Sequence, residues 1–196
     1  MKVNVFSHLI LVIIIFNSCE KEYDLTTSVF IEDEVHEGLP KYSEWGYNTF
    51  GIYYGRQPFI SNSQVVPFTV YVQENTTNFI FQGTFGYSSS AVLKIKFPGM
   101  TFNRYQDMMT LDGSKVNFKD AGARVTFTVN DQEQYLDIIN GEMEFKRLQR
   151  LFVDDEMEQL ILSGTFSFSI LDDEIPISFS FGRFDFGISE LNFFLL

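Results

Sequence analysis

The residues of this chain best suited to side-chain catalysis are two groups of acids late in the sequence. They are Asp154, Asp155, Glu156 and Glu158 in the first group and Asp172, Asp173 and Glu174 in the second. Two carboxyl groups about 5–9.5 Å apart across a cleft are enough for glycoside hydrolysis, and carboxylate oxygens also bind Ca²⁺. Neither group has the spacing of an EF-hand loop, and both fall in predicted hairpin turns. The pattern therefore favours solvated turn residues over a catalytic or metal-binding site.

Histidine and cysteine, on which most nucleophilic and zinc chemistry depends, are scarce. The chain contains His8, His36 and a single cysteine, Cys19. Because the predicted domain after residue 44 contains neither residue type, no Ser-His-Asp or Cys-His arrangement can be built from it. Zinc and other transition metals also prefer these ligands. The sequence therefore predicts no catalytic residue, no metal and no cofactor.

The N-terminus has the three-part layout of an export signal. Lys2 supplies positive charge, residues 9–16 form an uninterrupted apolar run, and Cys19 follows the small residue Ser18. The run is too short for a transmembrane helix, which needs about 20 apolar residues. The arrangement resembles the lipobox cleaved by lipoprotein signal peptidase. The resemblance implies that residues 1–18 are a signal peptide and that Cys19 is the lipidation site at the start of the mature protein.

Lipidation at Cys19 would determine where the protein resides. One acyl chain binds a membrane only marginally, whereas two or three hold a protein there durably. The acidic stretch at residues 20–24 resembles the surface-export signal of Bacteroidota-type lipoproteins, and a plain solvated tether explains it equally well. We predict a lipid-anchored protein of the outer membrane, with surface exposure left open. With its one cysteine acylated, the chain has no disulfide to stabilise its core.

A group of aromatic residues near the start of the predicted domain is the best candidate for ligand binding. The group consists of Trp45, Tyr47, Tyr53, Tyr54 and Tyr71, of which we take the first four as candidate site residues. Flat rings stack on sugars or anchor a protein partner at a small entropic cost. A glycan or an envelope protein is the expected partner. The alternative, which the composition favours, is that these rings pack in the core and rim of the domain.

The composition limits the number of domains and the kinds of partner that the chain can have. A chain of 196 residues suits one domain with a sizeable core, and 23 phenylalanines supply large buried areas. The formal net charge of -12 repels polyphosphate backbones, and no stretch concentrates lysine and arginine. The sequence therefore argues against nucleic acid as a partner.

The mature chain divides into two parts. Residues 19–44 are acidic and weakly patterned, and we interpret them as a tether with one short strand at residues 28–31. From residue 45 to 196, short runs of aromatic, β-branched and threonine residues alternate with turn residues, as strands do. Residues 125–129 and 165–170 place apolar side chains on one face and hydroxyls on the other. Further strands are predicted at residues 48–54, 68–73, 78–85, 91–97, 115–119, 142–148 and 159–164.

About ten strands at this spacing predict an all-β fold, a single antiparallel β-sandwich with a lipocalin-like β-barrel as the alternative. Residues 132–151 could form a strand or a helix, and the alternation of residues 142–146 favours a strand. Near the end, apolar residues occupy odd positions in residues 177–181 and even positions in residues 184–188. This change of parity, with Gly182 at the switch, predicts a β-bulge or tight bend.

Three short sequence motifs resemble those of a known group of proteins. They are residues 48–51 with the turn at residues 53–57, residues 162–168, and the Gly-Arg-Phe-Asp sequence at residues 182–185. They are similar to small uncharacterised lipoproteins of Bacteroidota that share a β-rich domain of unknown function. The resemblance implies a β-rich fold and transfers no functional residue.

These observations predict a membrane-anchored lipoprotein that acts as a non-catalytic binding or envelope-structural module. Two alternatives remain. A carboxylate-based glycosidase requires two acids in one concave pocket, and a carrier of an apolar ligand requires a continuous cavity inside a barrel.

Overall fold

The computed structural model describes residues 27–61, 67–86, 88–172 and 174–196. The predicted signal peptide, Cys19 and the first residues of the predicted tether lie outside these ranges. The described chain is all-β, a closed antiparallel barrel of eight strands with extra strands. The all-β prediction is therefore confirmed.

The elements follow one another with short connections. In chain order they are β1 (Thr49–Tyr54), β2 (Gln57–Ile60), β3 (Phe68–Gln73), β4 (Thr76–Phe85), β5 (Ser89–Pro98), a short 3₁₀ helix (Tyr105–Leu111), β6 (Lys115–Asn117), β7 (Arg124–Val129), β8 (Gln132–Val153), β9 (Glu156–Asp172), β10 (Ile175–Ile188) and β11 (Phe193–Leu195). The ambiguous residues 132–151 lie within β8, so the strand prediction for them is confirmed.

The eight barrel strands pair in the order β4-β2-β1-β10-β9-β8-β7-β5, and β5 pairs again with β4. β2 and β3 share one edge of β4, at Thr84–Phe85 and Thr76–Phe81 respectively, while β11 adds to β3 in parallel and β6 adds to β8. The alternative barrel prediction therefore fits the structure better than the sandwich. Alternation along a strand reports which face is buried, but it does not report whether the sheet closes.

Several turns have the geometry that their residues favour. Glu74 and Asn75 both have positive φ, as do Asp154 and Asp155. Two consecutive residues with positive φ characterise the type I′ turn, whose twist matches that of the flanking strands. These turns connect β3 to β4 and β8 to β9.

The parity change near the end of the chain is a β-bulge, as predicted. The β9–β10 pairing shifts register between Phe179 and Gly182. A Cβ at Gly182 would lie 2.3 Å from the carbonyl oxygen of Phe166 on β9. Only glycine therefore allows the strands to approach this closely after the bulge.

Phenylalanine rings fill the barrel interior. Phe81 on β4, 1 % exposed, contacts Phe50 on β1 and crosses to Phe166 on β9, with ring centroids 5.5 and 5.1 Å apart. Phe59 on β2 reaches Phe127 on β7 across the same interior at 5.3 Å. The core thus consists of interlocked rings that leave the lumen packed, as in other small barrels.

Residues 28–48, here called the outer strap, lie against the outside of the barrel. Leu39 is fully buried, and Pro40 packs directly on Gly51 of β1, where an added Cβ would lie 2.3 Å from the Pro40 ring. The predicted strand at residues 28–31 was wrong, because the strap forms a single bridge between Glu32 and Pro40 instead. The division of the chain at residue 44 stays a prediction, although residues 28–44 pack on the wall.

Candidate functional site

A groove of about 580 Å³ lies on the outer wall of the barrel, beside the bulge in β10. We call it the outer-wall groove. The strap, β8 and β10 supply its main side chains, which are Tyr42, Glu142, Glu144, Lys146, Phe181 and Arg183. A second groove, of about 650 Å³, adjoins it and shares Ser180 and Phe181. Tyr53, Arg56 and Gln57 help to line this second groove.

Phe181 forms the ridge between the two grooves, and its backbone is unusual. Its φ is 57°, a left-handed conformation that costs a non-glycine residue about 1–2 kcal/mol. The bulge turns its side chain out of the core, so that 56 % of it is exposed. The ring packs beside His36 and Tyr53, at centroid distances of 4.4 and 6.3 Å. Strained residues of this kind concentrate at functional sites.

Arg183 ties the bulge to the strap. Its guanidinium is nearly buried and donates to Asp33 at 2.5 Å and to the Pro40 carbonyl, while its Nε donates to the Phe181 carbonyl at 3.1 Å. Burial disfavours the ionised form of Asp33, but two backbone N–H groups, the His36 ring and Arg183 together hold the pKa of Asp33 well below its usual range. The carboxylate is therefore ionised throughout the neutral range, and the strap is fixed against the ridge.

Asp185 holds the end of the strap in the same way. Its carboxylate, 2 % exposed, accepts hydrogen bonds from the Ser43 hydroxyl and from the backbone N–H groups of Trp45, Gly46 and Tyr47. These four donors come from five consecutive residues. A single carboxylate therefore fixes the path of the chain just before β1.

The charged wall of the outer-wall groove lies on β8. Glu142 and Glu144 face outward on either side of the buried Met143, so the strand rise places their Cα atoms roughly 6.6 Å apart. Lys115 on β6 contacts both carboxylates, at 3.3 and 3.5 Å. The hydrogen bond and charge of Glu142, with the charge of Glu144, raise the pKa of Lys115. All three groups are partly exposed, so they remain accessible to a ligand.

Tyr42 supplies an uncharged aromatic ring at the strap side of this groove. Its hydroxyl donates to Glu44 at 2.9 Å, and Lys146 lies over its ring, 5.2 Å from the centroid. Burial, reinforced by Glu44, raises the pKa of Tyr42. The phenol therefore keeps its proton at neutral pH.

The aromatic residues predicted from sequence fall in different surroundings. Tyr53 faces outward, beside Phe181, and its hydroxyl donates to the Glu37 carbonyl at 2.6 Å. Tyr54 points inward, because neighbours on a strand face opposite ways, and it stacks on Phe179 near the barrel mouth. Trp45 lies exposed on the strap, Tyr47 is half-buried beside it, and Tyr71 stacks on Phe194.

Sequence reasoning missed Phe181, Arg183 and the acids on β8. The available signals were the parity change around Gly182 and the charges at positions 142, 144 and 146. The first was interpreted as a β-bulge or tight bend, and the second was interpreted as evidence for a strand.

The two acid groups that stood out in the sequence lie at turns. Asp154 and Asp155 form the exposed β8–β9 turn, and Glu174 lies in the β9–β10 turn; Asp173 is outside the described residues. Within the described ranges, no group of three or more histidine, cysteine or acidic residues could hold a metal ion. Of the helices in the same ranges, none is long and apolar enough to cross a membrane.

Comparison with known proteins adds no further constraint. No protein family, no curated protein and no solved structure matches the chain. Function must therefore be inferred from the geometry and chemistry of the grooves.

Proposed function

We propose that this chain is a lipid-anchored envelope protein that binds carbohydrate, without cleaving it, across the outer-wall groove and its neighbour. The observation that supports this most is Phe181, an exposed aromatic ring held in a strained conformation between two grooves. Contacts with His36 and Tyr53 still leave more than half of Phe181 exposed, so stability alone is a weak reason for a bulky apolar residue to occupy this position. Presenting a rigid ring to a ligand provides a reason.

The chemistry around Phe181 suits a sugar. The C–H faces of pyranose rings pack on aromatic rings, which Phe181, Tyr53 and Tyr42 offer on one surface. Sugar hydroxyls donate to carboxylates such as Glu142 and Glu144 in charge-assisted hydrogen bonds. Because Arg183 and Asp33 fix the ridge in advance, little ordering is needed on binding.

The two grooves meet at one ridge, which favours an extended ligand. A saccharide chain of several units can stack at Phe181 and continue into both grooves, whereas a single sugar would use only one. We therefore expect affinity to rise with chain length until both grooves are filled.

The anchor is supported by the sequence features of residues 1–19. We propose that Cys19 carries the lipid, that the protein resides at the outer membrane, and that it belongs with the small Bacteroidota-type lipoproteins that it resembles. Incorporation of radiolabelled palmitate, lost in Cys19→Ser, tests this part separately from ligand binding.

A glycan array probed with residues 20–196 tests the binding part, followed by calorimetric titration of the best ligand. Phe181→Gly should weaken binding at least tenfold, because a stacked ring contributes on the order of 1.4 kcal/mol or more. The free energy of unfolding of this variant should stay within about 1 kcal/mol of the native value. Glycine removes the backbone strain at this position, and this gain compensates for the loss of the ring contacts.

Tyr135→Ala is the matched control, because Tyr135 is an exposed aromatic residue outside both grooves. This variant should bind like the native chain. Equal binding by native protein and Phe181→Gly would show that the ridge is not the site, and silence across an array of soluble and envelope glycans would remove carbohydrate as the ligand.

Glycoside hydrolysis is a second candidate, favoured by one specific observation. Glu142 and Glu144 lie in one groove at a spacing compatible with an acid pair. Lys115, however, contacts both carboxylates, whereas hydrolysis requires one acid that carries a proton. Release of reducing ends from bound glycans, lost in Glu142→Gln or Glu144→Gln, would establish this activity in place of simple binding.

The carrier hypothesis has less support. Phe81, Phe59 and their neighbours make ring contacts across the lumen. An apolar ligand would have to displace these rings, at a cost that native packing density makes large.

A further inference from the structure

One end of the barrel exposes more large apolar side chains than the other end, where Tyr135, Leu171 and Ile175 are exposed. We call the more apolar end the tether end, where β1 begins, β10 ends and the β8–β9 turn projects. Its exposed apolar residues are Trp45, Phe152, Val153, Leu191, Leu195 and Leu196. Trp45 and Leu191 are more than two-thirds exposed, at 73 % and 71 %. Exposed apolar groups concentrated at one end of a protein indicate contact with another apolar phase.

Strand pairing and packing contacts place these residues at the tether end. Gly46, next to Trp45, packs on Ile161 and approaches the backbone of Gly187, one residue before β10 ends. Leu191 lies in the turn that follows β10 and leads into β11. Phe152 and Val153 close the β8–β9 hairpin, beyond the rung at which Leu160 pairs with Ile188. Leu195 and Leu196 run beside the end of β3, which is this same end because β1 and β4 are both antiparallel to β2 and β3 ends where β4 begins.

The chain also enters the described fold at this end. The Ser28 hydroxyl donates to the Asn48 carbonyl, and the Val29 N–H donates to the Tyr47 carbonyl, both at 2.8 Å. Cys19 precedes Thr27 by eight residues, which span at most roughly 29 Å when fully extended. The anchor therefore lies within that distance of the tether end.

The opposite end is too far away to rest on the same membrane. β10 contains 14 residues, which at 3.3 Å each and a tilt of about 40° rise roughly 35 Å along the barrel. Because this exceeds the reach of the tether, the barrel cannot stand on the β9–β10 turn, with the tether end facing away, on the bilayer in which Cys19 is anchored.

We infer that the tether end rests on the lipid surface, with Trp45 and the leucines among the headgroups. Tryptophan is enriched at this depth because its ring is apolar while its N–H remains hydrated. This inference rests on the lipid anchor of the proposed function and is independent of the carbohydrate ligand. The outer-wall groove, on the side of the barrel, remains open to solution.

The charges at this end define the kind of lipid. Asp154, Asp155, Glu156, Glu158 and Glu190 lie at the β8–β9 turn and after β10. They repel anionic headgroups, so the surface that fits is zwitterionic and the contact is apolar in origin. Binding to it should change little with ionic strength.

Trp45 is the only tryptophan in the chain, so its fluorescence reports the contact directly. Full-length acylated protein is reconstituted into phosphatidylethanolamine–phosphatidylcholine vesicles, with or without lipids spin-labelled near the headgroup. The expected result is a blue-shifted emission that the spin label quenches at least about twofold. Palmitate incorporation is measured on the same preparation.

Leu191→Glu combined with Leu196→Glu should abolish the quenching, since charges at these exposed positions oppose burial without touching the core. Ile175→Glu is the matched control, because Ile175 is exposed at the opposite end, in the β9–β10 hairpin. Its quenching should match that of the native chain.

The outcomes separate the anchor from the orientation. Acylated protein whose Trp45 is not quenched, or equal effects of the paired leucine variant and Ile175→Glu, would overturn the orientation and leave the anchor intact. Protein without palmitate would overturn the anchor and the orientation with it.

Discussion

Replacing Asp185 by alanine should release the end of the outer strap from the barrel. The carboxylate accepts four hydrogen bonds, from the Ser43 hydroxyl and from the N–H groups of Trp45, Gly46 and Tyr47. The carboxylate is 2 % exposed, so water does not compete for it in the folded state. Alanine removes every acceptor at once and leaves three backbone donors without their partner.

The size of the effect follows from those four bonds. A hydrogen bond to a charged group contributes about 1.5–3 kcal/mol, which sets an upper limit of roughly 6–12 kcal/mol for four. Residues 43–47 are only partly buried, so the strap can lift and water can satisfy the freed donors. We therefore expect a loss of about 3–5 kcal/mol for Asp185→Ala. Asp185→Asn keeps one acceptor oxygen and should lose about 1–2 kcal/mol.

Urea unfolding of residues 20–196, followed by near-ultraviolet circular dichroism, measures these losses. Limited proteolysis should in parallel show new cleavage within residues 43–47 of Asp185→Ala. Asp154→Asn is the control, because the exposed turn residue Asp154 has φ 49°, which asparagine tolerates well. A loss below 1 kcal/mol for Asp185→Ala, with proteolysis unchanged, would refute the idea that this carboxylate holds the strap.

Three further predictions concern stability. Asp33→Asn should lower the free energy of unfolding by about 1–3 kcal/mol at pH 7. Because folding lowers the pKa of Asp33, the stability that its carboxylate contributes is complete above the ordinary pKa of 3.8 and is lost as the pH falls through the folded value. The difference in unfolding free energy between this variant and the native chain, measured in urea, should therefore shrink in acid. Gly182→Ala should cost about 1–3 kcal/mol, since its Cβ would meet the Phe166 carbonyl; a melting temperature equal to that of the native chain would contradict the close approach. Phe81→Ala, which removes a ring at the centre of the core, should cost about 3–5 kcal/mol in the same unfolding assay, and a loss under 1 kcal/mol would show that the lumen is not packed.

Much of the strand structure could be predicted from sequence because each barrel strand has one buried face. Residues 125–129 and 165–170 alternate so regularly that their inner faces were evident, and both proved to be strands. Closure could not be predicted in the same way. It depends on β4 pairing with β5 along one edge and with β2 and β3 in succession along the other, and these long-range pairings leave no periodic trace.

The candidate site was harder to predict than the fold. Sequence parity grouped Phe181 with the apolar residues Ile177 and Phe179, and it also predicted a bulge or bend at Gly182. The bulge turns Phe181 outward, and parity alone cannot specify which residue at a bulge changes face. Tyr53 was identified, but its groove is completed by the strap, which packs on the barrel through contacts more than a hundred residues apart in sequence.

If Cys19 carries the proposed lipid anchor, the strap determines how the fold responds to a pulling force. Such a force would enter the described fold at Ser28 and Val29, so their hydrogen bonds to the Asn48 and Tyr47 carbonyls would be loaded first. The Asp33–Arg183 ion pair resists next, before tension reaches the eight-stranded wall. We therefore expect the strap to detach from the barrel wall before the barrel strands are loaded.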